Sequence, residues 1–223
     1  MALTAPIRND HDIQTAVQDE LEWTPDLDAA GIGVAIEEGT VSLSGEVATY
    51  FQRFAATRAA LRVQGVRALV DNITVNSKNH YEQTETDLAK SVQRALEWSN
   101  GVPASVKAEL TGRIVTLTGE VQWDFERQSA RRAVEQLAGI GYIENRISLR
   151  PRPSDTAAAA HIKAALARDG SLSSTEIVIH VEGTTAKLTG SVHTWSQRRT
   201  AEKIAWCSPH ITHLENRIVV SWF

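Results

Sequence analysis

The 223-residue sequence has little of several features that would narrow its function. Cys207 is its one cysteine, so an intrachain disulfide is impossible. No apolar stretch is long enough to cross a bilayer, and residues 1–10 lack the apolar centre of a secretory signal. We therefore expect a cytoplasmic protein that has no membrane span.

An excess of positive charge is also missing. Residues 1–80 carry a formal charge of −5, residues 81–150 carry −1 and residues 151–223 carry +2, which gives −4 for the chain. A protein that binds duplex nucleic acid usually has a basic stripe, and no part of this sequence indicates one. Nucleic acid is therefore not among the expected partners.

The sequence does contain a threefold internal repeat. One segment occurs as VSLSGEV at 41–47, as VTLTGEV at 115–121 and as AKLTGSV at 186–192. In each copy apolar residues alternate with polar ones, which is the period of a half-buried strand. The glycines of successive copies lie 74 and 71 residues apart. Modules of this size bury only about 60% of their unfolded surface, so we expect them to pack on one another.

Each copy predicts the order helix–strand–strand–helix–strand. In the first copy Ile13, Val17 and Leu21 share one helical face, with Asp12 as the predicted N-cap; Asp87 takes that place in the second copy. The predicted fold class is α+β. It consists of three tandem αββαβ modules, each with two helices packed on a three-stranded mixed sheet, at residues 10–77, 85–151 and 155–222. Strand order is left open.

The end of each copy carries a further motif, VDNI at 70–73 and ENRI at 144–147 and 215–218. Together with the Gly-x-Val strand ending and a second helix rich in Ala and Arg, this motif resembles the BON domain (bacterial OsmY and nodulation). The resemblance extends over nearly the whole chain, from about Asp12 to Val220. It implies a non-enzymatic module of bacterial proteins of osmotic or envelope stress, which binds phospholipid surfaces or other proteins.

From this resemblance we expect a stress-response adaptor that binds an anionic phospholipid surface or a protein partner, without a cofactor. A relative that pairs a BON domain with another domain is associated with potassium. This leaves open an alternative function, a small-ligand or cation sensor that uses a cleft between modules. No catalytic set of Ser, His, Asp or Cys recurs in the three copies, so we do not expect an enzyme.

Two sets of repeated residues are interpreted as structural. The first set permits close strand–helix approach and comprises Gly45, Gly119 and Gly190. The second set bonds to nearby backbone at the last strand and comprises Asp71, Asn145 and Asn216. Catalysis does not explain the second set, because an amide cannot replace an acid or a base.

Repeated cations begin the second helix of each copy, at Arg53, Arg127 and Arg198. A cation is unfavourable near a helix N-terminus, so each is expected to have a specific partner. An intramodule carboxylate or carbonyl is favoured over a lipid phosphate, and arginine suits both. Arg199 and Lys203 complete the candidates for lipid or partner contact, because the third module carries the positive charge.

Histidines and tryptophans give two further hypotheses. Cys207, His210 and His213 have a spacing that zinc ligands can adopt, with His193 as a possible fourth ligand. Since glycines stand at the position of His210 in the other copies, ordinary histidines are favoured and no metal is expected. Large aromatic residues lie at module ends. A neighbouring module is expected to cover Trp98, Trp123 and Trp195, in preference to insertion into lipid.

Overall fold

The structure is a computed structural model that describes residues 9–25, 27–76, 84–173 and 175–221. The predicted element order is confirmed in all three modules. Module 1 contains α1 (Asp10–Glu22), β1 (Ile32–Glu37), β2 (Thr40–Val47), α2 (Tyr50–Ala60) and β3 (Ala68–Val75). Module 2 contains α3 (Glu85–Trp98), β4 (Lys107–Thr111), β5 (Ile114–Thr118), β6 (Glu120–Val121), α4 (Asp124–Glu135), β7 (Tyr142–Asn145) and β8 (Ser148–Leu149).

Module 3 repeats this order and, like module 1, has a 3-10 turn before its sheet, Ala29–Gly31 in module 1 and Gly170–Leu172 in module 3. Its elements are α5 (Ala158–Arg168), β9 (Glu176–Glu182), β10 (Thr185–Val192), α6 (Trp195–Trp206), β11 (His213–Asn216) and β12 (Val219–Val220). Trp222, which ends the sequence together with Phe223, lies outside the described residues.

The second strand is central in each sheet. In module 1, β2 pairs antiparallel with β1 and parallel with β3, and Leu43 stands between Val34 and Asp71. Modules 2 and 3 have the same mixed pairing. The parallel pair requires a crossover connection, and the second helix supplies it on the core face of the sheet.

Two predicted helix starts are wrong by a few residues. Asn9, and not Asp12, caps α1, because its side chain accepts a hydrogen bond from the Asp12 backbone nitrogen at 2.8 Å. Thr84 likewise caps α3 in place of Asp87. The predictions placed the cap on an acid inside the first turn, where it also stabilises the positive end of the helix dipole.

Each module has an apolar core between its sheet and its helices. Leu43, Leu117 and Leu188 are the inward residues of the central strands, and all three are 0% exposed. Two aromatic residues contact the core of another module. Tyr50 of module 1 lies in the core of module 2, and Trp206 of module 3 packs against the cores of both modules 2 and 3.

The repeated glycines are required by a close backbone contact, although the contacting element is not a helix as predicted. Gly45, Gly119 and Gly190 have φ values of 123°, 130° and 111°. A Cβ at these positions would lie 2.0, 2.4 and 1.9 Å from the backbone carbonyl oxygens of Gly31, Ser105 and Glu176, respectively. These carbonyls lie at or just before the first strand of the same module, so the glycine lets the edge strand begin against the central one.

Candidate functional site

The arginine that begins each second helix is held within its own module. Arg53 donates from Nε to Asp71 Oδ2 at 2.9 Å. Arg127 pairs with Asp124, one helical turn before it. Arg198 has no acid there and donates to the backbone oxygens of Ile218 and Asn216 at 3.0 and 2.7 Å. All three cations therefore have a partner in their own module, and for Arg127 this partner belongs to the same helix.

The residue that enters the last strand completes this link. Asp71, Asn145 and Asn216 accept a hydrogen bond from the backbone nitrogen two residues later, at 3.1, 3.2 and 3.2 Å. The two asparagines also donate to the carbonyl oxygens of Arg127 and Arg198. A carboxylate oxygen and an amide oxygen accept this backbone hydrogen bond equally well, as the sequence predicts. Asp71, Asn145 and Asn216 thus join the second helix of each module to its last strand.

Modules 1 and 2 meet where α2 begins and α4 ends. The ring of Tyr50 contacts the ring of Tyr142 edge to face, with centroids 6.2 Å apart. The Arg131 guanidinium lies over the ring of Phe54 at 4.1 Å from its centroid. Aromatic and cation–π contacts of this kind stabilise an interface by about 0.5–2 kcal/mol each.

Modules 2 and 3 meet in the same relative orientation. Arg127, at the beginning of α4, lies 4.6 Å from the ring centroid of Trp206, at the end of α6. Arg152 stacks on the ring of Trp123 at 4.3 Å and donates to the carbonyl oxygen of Pro209 at 2.7 Å. The short linker segment that holds Arg152 is thus part of the interface.

The third contact closes a ring of modules. Trp195, the first residue of α6, donates from Nε1 to the carbonyl oxygen of Val66 at 3.0 Å. Val66 follows α2 in module 1, so each second helix begins near the end of the next one. Trp123 and Trp195 are half-buried at these contacts. Trp98 is 81% exposed, so the expectation that a neighbouring module covers it is wrong.

A cleft of about 550 Å³ lies where the three second helices meet. Each helix contributes the same face, because the lining positions recur every three to four residues along it. Three lining residues, Arg58, Arg132 and Lys203, are equivalent in the repeat. The walls also include Phe54, Trp195 and Trp206, which hold the modules together.

The lining of this junction cleft carries a positive charge. It has six cationic residues, Arg58, Arg62, Arg131, Arg132, Arg199 and Lys203, and three acidic ones, Asp124, Glu135 and Glu202. Taken as full charges these leave a net charge of +3. Clefts with one predominant sign concentrate ligands of the opposite sign.

Arg199 shows how closely the cations approach one another. Its side chain is exposed to the cleft, yet the surrounding protein desolvates the guanidinium and lowers its pKa. Arg58 lowers this pKa further and Glu202 opposes the change. Arginine still keeps its charge at neutral pH, since its ordinary pKa lies far above neutral. The cleft therefore holds a charged group among like charges.

The carboxyl of Glu135 is the one buried acid of the cleft, 6% exposed. Burial raises its pKa, and Arg131, Arg58 and Arg132 oppose that effect only in part. Arg131 Nε lies 3.6 Å from Glu135 Oε2. Burial likewise raises the pKa of the Tyr50 hydroxyl. Glu135 therefore ionises less readily than an ordinary glutamate.

The structure divides the predicted cation candidates into two groups. Arg199 and Lys203 line the junction cleft, whereas Arg53, Arg127 and Arg198 do not. Sequence reasoning missed Arg58, Arg62, Arg131 and Arg132. One signal for them was available, because a cation recurs at the position of Arg58 in all three second helices.

The proposed zinc ligands do not come together. Within the described ranges, no three His, Cys, Asp or Glu side chains form a group that could hold a metal ion. Cys207 is exposed. His210 Nδ1 lies 3.2 Å from the Pro153 oxygen, and His213 Nδ1 lies 3.0 Å from Thr212 Oγ1. Over the same ranges, no helix combines the length and the apolar composition needed to cross a membrane.

Comparisons with known proteins identify the family. A solved C-terminal domain of CdsD, a structural protein of the type III secretion system of Chlamydia trachomatis, is 13% identical, with 96% of this chain and 100% of that chain covered and a TM-score of 0.27. A second CdsD structure is 12% identical, with 94% and 92% covered and a TM-score of 0.26. TM-scores of this size do not establish a common fold. No curated protein sequence matches the chain.

The family model described as BON domain matches three consecutive parts of the chain. The matched residues are 9–77, 84–151 and 154–221. These matches include the repeated glycines, the arginine that begins each second helix and the Asp or Asn of each last strand. The chain therefore belongs to the BON domain family and carries three BON domains in tandem.

Proposed function

We propose that this chain is a non-enzymatic adaptor of osmotic or envelope stress that binds anionic phospholipid surfaces. Its modules would be those of residues 10–77, 85–151 and 155–222, acting together as a ring. The excess of cations at the junction cleft is the observation that carries the proposal. Arg199 and Lys203 are the exposed contact residues of this proposal. A protein partner with an acidic surface is the alternative occupant.

The charge distribution supports a local site over a general attraction to membranes. The chain has a net charge of −4, so its surface as a whole repels an anionic bilayer. The cations concentrated at the cleft must then determine orientation on the bilayer. Each cation near an anionic surface contributes about 1 kcal/mol at moderate ionic strength, and salt weakens this contribution.

Vesicle co-sedimentation tests the proposal. We expect binding to vesicles that contain phosphatidylglycerol, weaker binding as salt increases, and none to vesicles of phosphatidylcholine alone. R199Q/K203Q should weaken binding, while R94Q/R168Q removes two exposed cations outside the cleft and should not. Equal binding to both kinds of vesicle, or an equal loss in the two variants, would refute a basic lipid site at the cleft.

A second candidate function is a small-ligand sensor, and the position of the cleft favours it. Clefts between domains are preferred sites for small ligands, and all three modules line this one. Its net positive charge favours an anion over a cation such as potassium. Isothermal titration of the chain with potassium chloride, with sodium chloride as the control, tests the cation option. Binding heat with potassium chloride that is absent with sodium chloride would support the cation option.

A further inference from the structure

Four cations of the junction cleft form no ion pair within 4.0 Å with any acid in the described part of the chain. Arg62 pairs with Glu20 and Arg131 with Glu135. In the described ranges, no ion pair involves the other four lining cations, which are Arg58, Arg132, Arg199 and Lys203. They come from all three modules, so the ring of second helices brings them to one place.

The three carboxylates of the cleft offset these four charges only in part, since Glu135 acts on Arg58 and Arg132, and Glu202 acts on Arg199. Asp124 pairs with Arg127, which is not a lining residue. Glu202 accepts a hydrogen bond from Asn216 Nδ2 at 3.3 Å, and Glu135 is nearest to Arg131. Each carboxylate is thus engaged at the wall. Desolvation lowers the pKa of Arg199, and repulsion by Arg58 lowers it further.

One aromatic ring, that of Phe54, holds two guanidinium groups of the cleft, one of them the unpaired Arg58. Arg58 and Arg131 approach the ring of Phe54 at 5.7 and 4.1 Å from its centroid. Arg58 comes from module 1 and Arg131 from module 2. A guanidinium held in this way loses less freedom when it binds a ligand, and its planar fork suits the oxygens of phosphate.

We propose that the junction cleft binds a compact, multiply charged phosphate group, a diphosphate or triphosphate, through Arg58, Arg132 and Arg199. This rests on the proposed function, in which the cleft binds anions, and names the ligand chemistry. A single carboxylate or chloride leaves most of the four unpaired cations without a counter-charge. Tetrahedral phosphates present oxygens in several directions, which matches donors that approach from three helices.

Binding by three modules at once has a consequence for the whole chain. A ligand that contacts only the closed ring stabilises the ring in proportion to its concentration above the dissociation constant. The same ligand relieves the repulsion among the unpaired cations. The phosphate group therefore acts as a link between modules, and the chain's resistance to unfolding reports its presence.

Isothermal titration and thermal unfolding of the full chain with sodium triphosphate test this site. We expect one site per chain, weaker binding of orthophosphate, and a higher unfolding temperature with triphosphate. Losing two charge-assisted contacts in R58Q/R199Q should weaken binding about tenfold or more. The control R94Q/R168Q has the same net charge and should bind as the unaltered chain does. No binding, or equal weakening in both variants, overturns the proposal.

Ligand-free stability gives a second readout that does not depend on a binding signal. Because R199Q removes a desolvated charge from among like charges, it should raise the unfolding temperature without ligand and reduce the increase caused by triphosphate. A variant that unfolds at a lower temperature without ligand, and still gains the full increase with triphosphate, contradicts the proposal.

Vesicles distinguish the source of the phosphate and separate this inference from the proposed function. Competition between triphosphate and vesicles bearing phosphatidylinositol bisphosphate indicates a headgroup ligand. Triphosphate binding without vesicle binding supports a free ligand and refutes the lipid function. If phosphatidylglycerol vesicles bind and triphosphate does not, the phosphate site is refuted and the lipid function stands.

Discussion

Replacement of Gly119 by alanine isolates the contact between the edge strand and the central strand. Gly119 has a φ of 130°, and a Cβ there would lie 2.4 Å from the carbonyl oxygen of Ser105. Gly112 provides a matched control in the same module. It also has a positive φ, 59°, but a Cβ at that position meets nothing within 4 Å. Both substitutions therefore place a side chain at a positive φ, but only 59° lies in the left-handed region that alanine can enter, and only G119A adds steric overlap.

The two glycines should differ by at least the cost of that overlap, to which the less favourable φ of Gly119 adds. An alanine in the left-handed region costs about 1–2 kcal/mol, which is all that G112A should lose. Overpacking against a fixed backbone adds about 1–3 kcal/mol, so G119A should lose about 2–5 kcal/mol. The carbonyl cannot move away cheaply, because Val106 and the strand β4 follow it directly.

Urea denaturation followed by tryptophan fluorescence and circular dichroism measures the difference. With a slope of about 1–3 kcal/mol per molar urea, a difference of about 1–3 kcal/mol places the midpoint of G119A about 0.3–3 M below that of G112A. Equal midpoints for the two variants would show that the edge strand moves freely. They would refute steric contact as the reason for a glycine in all three copies.

Two further predictions concern the junction. Burial raises the pKa of Glu135 above its ordinary 4.5, so the folded chain binds the carboxyl proton more tightly than the unfolded chain does. The stability that the protonated carboxyl confers is therefore lost as pH rises through the pKa of the folded chain. The stability of E135Q relative to the unaltered chain should therefore increase from pH 4 to pH 7; a decrease in urea titrations would refute this. W195F removes the hydrogen bond to Val66 and should cost about 0.5–1.5 kcal/mol, whereas W98F, at an 81% exposed position, should stay within about 0.5 kcal/mol. Equal losses in the two would contradict closure of the ring through Trp195.

The architecture of each module was predictable because local patterns carry it. Alternation along the central strand places Leu43, Leu117 and Leu188 inward, and all three are fully buried. Strand order was not predictable from the same pattern. It depends on which neighbour the crossover places beside the central strand, and either edge satisfies the alternation.

The candidate site was predictable only in part. Arg199 and Lys203 were identified through the net charge of the third module, and both line the cleft. The net charge of a module does not indicate Arg58 and Arg132, because modules 1 and 2 are acidic overall. Charge that converges from separate segments is a property of the assembled ring, and no window of sequence contains it.

Several contacts of the ring depend on positions at which the three copies differ. The first residue of the second helix is Tyr50 in module 1, Asp124 in module 2 and Trp195 in module 3. Tyr50 contacts Tyr142, and Trp195 bonds to Val66. Asp124 instead holds Arg127, which stacks on Trp206.

These differences set the order of the ring. Identical modules would make three identical contacts. A ring could then form from modules of different chains as readily as from the three modules of one chain. Because each junction here uses different chemistry, a module fits one neighbour better than the others, which favours closure within a single chain. The repeat thus supplies three similar helices around the cleft, and the departures from the repeat bring its cations to the centre.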